Sequence, residues 1–172
     1  MTPGLFAVYT GDGKGKTTAA LGMVFRALGR EQPVAVVQFV KGRWKTGERL
    51  LAEKLPGLDF RTMGAGFTWE GDDPGVHARA ARAAWDEARA VLAAGRHRVV
   101  ILDELTHVVN HGYVPVAEVL AAVAARAPET TVVVTGRDAP QALVEAADLV
   151  TEMRNVKHPF SRGMKAIAGV DY

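Results

Sequence analysis

The run Gly11-Asp12-Gly13-Lys14-Gly15-Lys16-Thr17-Thr18 lies between an apolar stretch, Leu5-Phe6-Ala7-Val8-Tyr9, and an apolar-periodic stretch that begins at Thr17. A strand, a glycine-rich turn and a helix in that order constrain the fold more than any other feature of the chain. Glycines at 11, 13 and 15 let the backbone curl so that its N–H groups converge, and the helix N-terminus adds a partial positive charge. Lys16 can reach phosphate oxygens, and the Thr17 hydroxyl can hold a magnesium ion. The run therefore reads as a cradle for a nucleoside triphosphate. It departs from the usual Walker A pattern twice. Thr10 stands where that pattern has its first glycine, and Lys14 is an additional lysine inside the loop.

Composition bounds the rest. A chain of 172 residues is long enough for one domain with a substantial core, and 48% hydrophobic residues is a globular proportion. A formal net charge of +2 gives no argument for nucleic acid or an anionic membrane. No apolar stretch approaches the length of a transmembrane helix. The first residues read as a strand rather than a signal peptide, so a cytoplasmic protein is expected. The absence of cysteine excludes disulfides, thiolate metal sites and a redox-active thiol in the chain itself.

Strand and helix patterns alternate along the chain. Expected strands are Leu5–Thr10, Val34–Val40, Leu58–Arg61, Val99–Leu102, Thr131–Thr135 and Leu149–Met153. Expected helices are Thr17–Leu28, with Gly29 placed to end it, Glu48–Lys54, Pro74–Ala94, Val114–Ala127 and Ala139–Ala146. Residues 63–73 read as a long loop, and the tail from Arg154 has no clear period. Near-continuous apolar strands separated by helices imply a parallel sheet covered on both faces, in an α/β fold of one domain over residues 1–172. Ligands in such folds bind beyond the C-terminal ends of the strands. Thr10–Thr18, Gln38–Arg43, Asp103-Glu104 and Thr135–Arg137 all fall there.

Asp103-Glu104, after Val99-Val100-Ile101-Leu102, resembles a Walker B segment, in which a carboxylate opposite the loop holds magnesium against the phosphates. A ligand role for Glu104, direct or through water, and a water-activating role are both compatible with its position. Arg137 follows a buried strand and a glycine, where a guanidinium either clamps a phosphate in fork geometry or is an ordinary surface group. Lys41 and Arg43 lie at another strand end and invite the same argument. In Gly64-Ala65-Gly66-Phe67-Thr68-Trp69-Glu70, Phe67 and Trp69 belong to no helix or strand face. They either cover a flat, partly apolar ligand or fold back on the core. His107 and His111 share a helical spacing but lack an HExxH pattern and a third ligand, so a zinc site is not expected. The arginines at 79, 82, 89 and 96 read as a solvated helix face, without the aromatic interleaving of a nucleic-acid surface.

Taken together, these blocks resemble the P-loop type of ATP:corrinoid adenosyltransferases. The resemblance runs nearly end to end. It takes in Gly11–Thr18, Val37-Gln38-Phe39-Val40-Lys41-Gly42, Gly47-Glu48-Arg49 and Gly66-Phe67-Thr68-Trp69. It continues through Leu102-Asp103-Glu104-Leu105-Thr106, Thr135-Gly136-Arg137, Lys157-His158 and Gly169-Val170-Asp171-Tyr172. Some family members carry a longer segment before the first strand than this chain does.

The resemblance implies a P-loop NTPase (RecA-like) domain with a mostly parallel six-stranded sheet and helices on both faces. It also implies a reaction in which cobalt of a cob(I)alamin or cob(I)inamide attacks the 5′ carbon of ATP and inorganic triphosphate leaves. Within it, Gly11, Asp12, Gly13, Lys14, Gly15, Lys16, Thr17 and Thr18, with Lys41 and Arg137, would bind ATP in reversed orientation. Thr17 and Glu104 would attend a magnesium or manganese ion. Phe67 and Trp69, with Lys16, would be the catalytic set, the aromatics displacing the lower axial ligand of a Co(II) corrinoid. An external donor such as a reduced flavoprotein would supply electrons, and the family is typically a homodimer. Two other readings fit the loop and Asp103-Glu104 taken alone. One is a P-loop phosphotransferase or ATPase in which Glu104 activates a nucleophile, and the other is a nucleotide-dependent binding module with little turnover.

Overall fold

The computed structural model describes residues 2–40, 46–63 and 74–171. Six strands form one sheet: β1 (Phe6–Thr10), β2 (Val34–Gln38), β3 (Leu58–Thr62), β4 (Val99–Asp103), β5 (Thr131–Thr135) and β6 (Leu149–Glu152). Their spatial order is β3-β2-β4-β5-β1-β6, and every pairing is parallel. The helices are α1 (Lys16–Leu28), α2 (Gly47–Ala52), α3 (Pro74–Ala94), α4 (Leu105–Asn110), α5 (Val116–Ala124) and α6 (Gln141–Ala146), followed by a 3-10 turn at Pro159–Arg162. Among the described residues, no helix is long and apolar enough to cross a membrane.

Side-chain alternation along the strands builds two cores. Ala7, Val34, Val36, Val99, Ile101 and Val133 face Ala20, Val24 and Ala27 of α1. Their neighbours Phe6, Val8, Ala35, Val37, Val100, Leu102, Val132 and Val134 face the other way, against α3, α4, α5 and α6. Period-two alternation with both faces apolar is why these strands read as continuous hydrophobic runs. Trp85 of α3 is fully buried in the second core. The α/β architecture, the six-stranded parallel sheet and the helices on both faces agree with the expectation.

The boundaries depart in instructive places. The run expected to continue to Val40 ends as a strand at Gln38: the Phe39 N–H makes the last ladder bond, to the Asp103 carbonyl at 3.0 Å, and the Phe39 ring is buried. The helix expected over Val114–Ala127 spans only Val116–Ala124, behind Pro115. A short helix, α4, starts directly after β4 where no helix was expected. Glu104, at φ 60°, makes that sharp change of direction in the left-handed region. At the end of α1, Gly29 stays right-handed, and the positive φ falls on Glu31.

Candidate active site

The glycine-rich run forms the turn between β1 and α1. Gly11 and Gly15 take positive φ, and the loop lies against the chain that follows β6. The Gly13 N–H bonds the Met153 carbonyl at 2.7 Å, and a Cβ on Gly11 would stand 2.4 Å from that same oxygen. Only glycine permits this approach. Thr10 belongs to β1, and its hydroxyl accepts the Ala139 N–H at 3.1 Å, tying the loop's approach to the start of α6. The absent first glycine of the Walker pattern is thus a strand residue with a partner of its own.

Lys16 is buried and folds back over the loop, donating to the carbonyls of Gly11 and Gly13, each at 2.7 Å. Burial pulls its ammonium below the ordinary lysine range, with the Glu104 carboxylate opposing that shift and Arg137 adding to it. Lys14 extends outward and forms an ion pair with Asp171.

Opposite the loop, a row of polar side chains crosses the sheet at one level. Gln38 pairs in register with both Thr62 and Asp103, and Leu102 with Val134, which brings Asp103 beside Thr135. These positions share the parity of Val36, Ile101 and Val133 and so face α1. Asp103 is 4% exposed. Its Oδ1 accepts the hydroxyls of Thr17 at 2.8 Å and Thr135 at 2.7 Å, and its Oδ2 accepts the Gln38 amide at 3.2 Å. Burial pushes the Asp103 carboxyl above the usual carboxylate range, and the three donors pull it back.

Glu104 is half-buried at the cavity wall. Burial raises its pKa first, the charge of Asp103 raises it further, and Lys16 and Arg137 oppose both. Its left-handed backbone is pinned from two sides. Its N–H donates to the Thr135 hydroxyl at 2.9 Å, and its carbonyl caps His107 N at 3.2 Å. Arg137 is anchored through its carbonyl, which accepts the Thr106 hydroxyl at 2.7 Å. The intervening Gly136 sits at φ 141°, where a Cβ would come within 2.0 Å of Thr106 Oγ1.

These groups surround one cavity of about 720 Å³. Asp12–Thr18, Glu104, Arg137 and the segment Gly169–Asp171 form its polar end. Leu21, Phe25, Leu51, Leu55 and Phe60 form an apolar end between α1, α2 and β3. That size suits a nucleotide, with one end for charge and one for a flat ring.

The structure therefore brings together Gly11 through Thr18, Glu104 and Arg137. Lys41, Phe67 and Trp69 lie outside the described residues. The carboxylate in contact with Thr17 is Asp103, and Glu104, expected to attend a metal ion together with Thr17, stands next to it at the cavity wall. Gln38, Thr135, Thr106 and Asp171 were not singled out as individual site residues. Gln38 and Thr135 carried a signal, since each ends an apolar strand with a side chain able to hydrogen-bond. His107 and His111 stand on α4 with ring centroids 4.3 Å apart, and no cluster of metal-ligating side chains occurs among the described residues. His158 caps the 3-10 turn, its Nδ1 accepting the Phe160 N–H at 3.1 Å.

A family model described as ATP:corrinoid adenosyltransferase BtuR/CobO/CobP matches residues 2–172. The chain is 45% identical over 169 residues to the corrinoid adenosyltransferase of Escherichia coli strain K12, covering 98% of this chain and 86% of that one. It is 46% identical over 172 residues to the corrinoid adenosyltransferase of a Sinorhizobium species, covering 98% and 80%. Among solved structures, the flagellar accessory protein FlaH from Methanocaldococcus jannaschii superposes with a TM-score of 0.60 at 11% identity, over 88% of this chain and 72% of that one. At that identity the likeness speaks for the fold alone.

Proposed function

The chain belongs to the ATP:corrinoid adenosyltransferase family, and from that premise we propose how its residues carry out the transfer. The enzyme moves the adenosyl group of ATP to the cobalt of a reduced corrinoid. In our reading residues 1–172 form one P-loop domain of the RecA-like type. The observation that carries the assignment of the site is the convergence of Lys14, Lys16, Thr17, Glu104 and Arg137 on one cavity at the C-terminal ends of the strands.

Cobalt(I) brings its own electron pair, so the attack on the 5′ carbon needs no general base. A cobalt–carbon bond forms, the bond from that carbon to the triphosphate oxygen breaks, and the electron pair leaves on inorganic triphosphate. The leaving group gains charge as the bond breaks. Lysines 14 and 16 and Arg137 would favour that change electrostatically, and the N–H groups of residues 11–18 would fix the phosphates. Lys16 first has to exchange its two loop carbonyls for phosphate oxygens. The ATP lies reversed, its 5′ carbon toward the corrinoid. The cavity is of nucleotide size, so the much larger corrinoid would lie mainly across its mouth.

Thr17, with Asp103 behind it and Glu104 beside it, suits a magnesium ion that binds few protein oxygens and completes its shell with phosphates and water. When bound, the ion supplies positive charge against the triphosphate. Asp103 would fix the Thr17 hydroxyl, and Glu104 would reach the ion directly or through water.

Phe67 and Trp69 would present a dry apolar face to the lower side of a Co(II) corrinoid and displace its axial ligand, easing reduction. Lys41 would add to the nucleotide grip. An external donor such as a reduced flavoprotein would supply the electron, and the working form would be a homodimer. The experiment is product analysis with ATP, magnesium and chemically reduced corrinoid. Adenosylated corrinoid and inorganic triphosphate are expected. ADP and phosphate with unchanged corrinoid would overturn the assignment in favour of phosphoryl transfer through Glu104.

A further inference from the structure

Both lysines of the phosphate loop are held by the chain's own oxygens. Lys16 is bonded to the carbonyls of Gly11 and Gly13. Lys14 is paired with the carboxylate of Asp171, far along the chain. Asp171 is itself fixed. Its Oδ2 accepts the Ile167 N–H at 2.8 Å, and its own N–H donates to the Ile167 carbonyl at 2.8 Å. The turn so closed carries Gly169, Val170 and Asp171 into the wall of the cavity, beside the loop. A carboxylate on a preformed turn thus stands at the ammonium that a phosphate oxygen would take.

We propose that Asp171 is an internal competitor for the triphosphate, an anion held against Lys14 that weakens the enzyme's grip on inorganic triphosphate and so speeds its release. The inference rests on the reading of the loop as the triphosphate site. Its chemistry is simple exchange. Triphosphate entering the loop must separate Lys14 from Asp171, and when it leaves, Asp171 returns to the same ammonium. The energy involved is that of a solvent-facing ion pair, enough to change an affinity severalfold without closing the site.

The test is calorimetric titration of inorganic triphosphate into the full chain. Asp171→Asn removes the charge but keeps an oxygen able to accept the Ile167 N–H, so the turn is retained. It should tighten triphosphate binding about two- to fivefold. In a Lys14→Ala background the same substitution should change nothing, because the competed ammonium is gone. Unchanged or weaker binding in Asp171→Asn overturns the inference while leaving the triphosphate site standing. An equal tightening with and without Lys14 overturns it too, since general charge repulsion would then be the cause. If triphosphate fails to bind the unsubstituted enzyme, both this inference and the reading of the loop fall.

Discussion

Thr17 donates its hydroxyl to Asp103 Oδ1 at 2.8 Å, joining the first turn of α1 to the last residue of β4. The same oxygen takes the Thr135 hydroxyl, so one buried carboxylate fixes the helix that follows the glycine-rich loop against two central strands. Removing that carboxylate leaves three donors facing one another in a desolvated place. Each orphaned donor costs about 1–3 kcal/mol. Asp103→Ala should therefore lower stability and release Thr17 together. Asp103→Asn keeps the shape but offers only one accepting oxygen. It should stay folded by circular dichroism while adenosyl transfer drops about a hundredfold or more. Transfer near the unsubstituted rate would remove Asp103 from the site.

Lys16→Ala should abolish or severely weaken productive use of ATP, and because Lys16 already bonds two loop carbonyls, the empty loop should loosen as well. Hydrogen exchange at residues 11–18 is expected to speed up in the variant without nucleotide. Normal turnover, measured by formation of the adenosylated corrinoid, would refute the lysine's role.

Gly136→Ala tests the anchoring of Arg137. The added methyl would overlap the Thr106 hydroxyl, at a φ that side chains rarely adopt. Strain and overpacking together should cost about 2–4 kcal/mol, read as a lower melting temperature. The displaced Arg137 should also raise the KM for ATP. A companion Thr106→Ala removes the 2.0 Å overlap with Oγ1 and the bond to the Arg137 carbonyl, leaving the Cβ contact at 3.1 Å and the unfavourable φ. It separates the two effects by restoring stability more than KM.

Phe67→Ala combined with Trp69→Ala should slow the reaction from Co(II) corrinoid far more than from Co(I) prepared chemically. The aromatics are proposed to act before reduction, whereas the loop acts afterwards. Equal losses from both starting states would argue against displacement of the axial ligand.

His97 gives a pH dependence. Burial holds its imidazole below the ordinary histidine range, with the Asp59 carboxylate opposing the shift. The unfolded chain binds the proton more readily than the folded one, so this contribution is fully present above about pH 6.5 and is lost progressively as pH falls from there to the lower pKa of the folded state. Asp103 and Glu104, with raised pKa values, act in the opposite direction on acidification. The contrast with His97→Gln isolates the histidine. Urea midpoints should fall more from pH 7.5 to pH 5.5 in the unsubstituted protein than in the variant.

What the sequence made legible follows from local rules. Helix α3 and strand β5 occupy the expected residues, since Pro74 and Gly95 frame one and an apolar β-branched run makes the other. The glycine-lysine loop reads as the proposed triphosphate site through spacing alone. Asp103 as the partner of Thr17 was less visible, because either acid of a neighbouring pair satisfies the motif. Parity decides between them, and parity needs the strand's register. Helix α4 was hidden because its entry depends on a left-handed glutamate, for which no propensity rule prepares. Asp171 was hidden for another reason. Its pairing with Lys14 joins residues distant in sequence, and the intervening tail has no period to reveal its path.

The polar row from Thr62 through Gln38 and Asp103 to Thr135 has a consequence for how this molecule can go wrong. Neighbouring residues on a strand point to opposite sides, so a one-step slip of β4 would send Asp103 under the helices of the far face and bring Leu102 to Thr17. A mispaired sheet could remain compact and well covered, yet it would lack the acceptor that holds Thr17 at the end of the glycine-rich loop. Triphosphate binding at the proposed site should therefore report correct strand alignment, and it should return only after the last parallel pairing has locked during refolding.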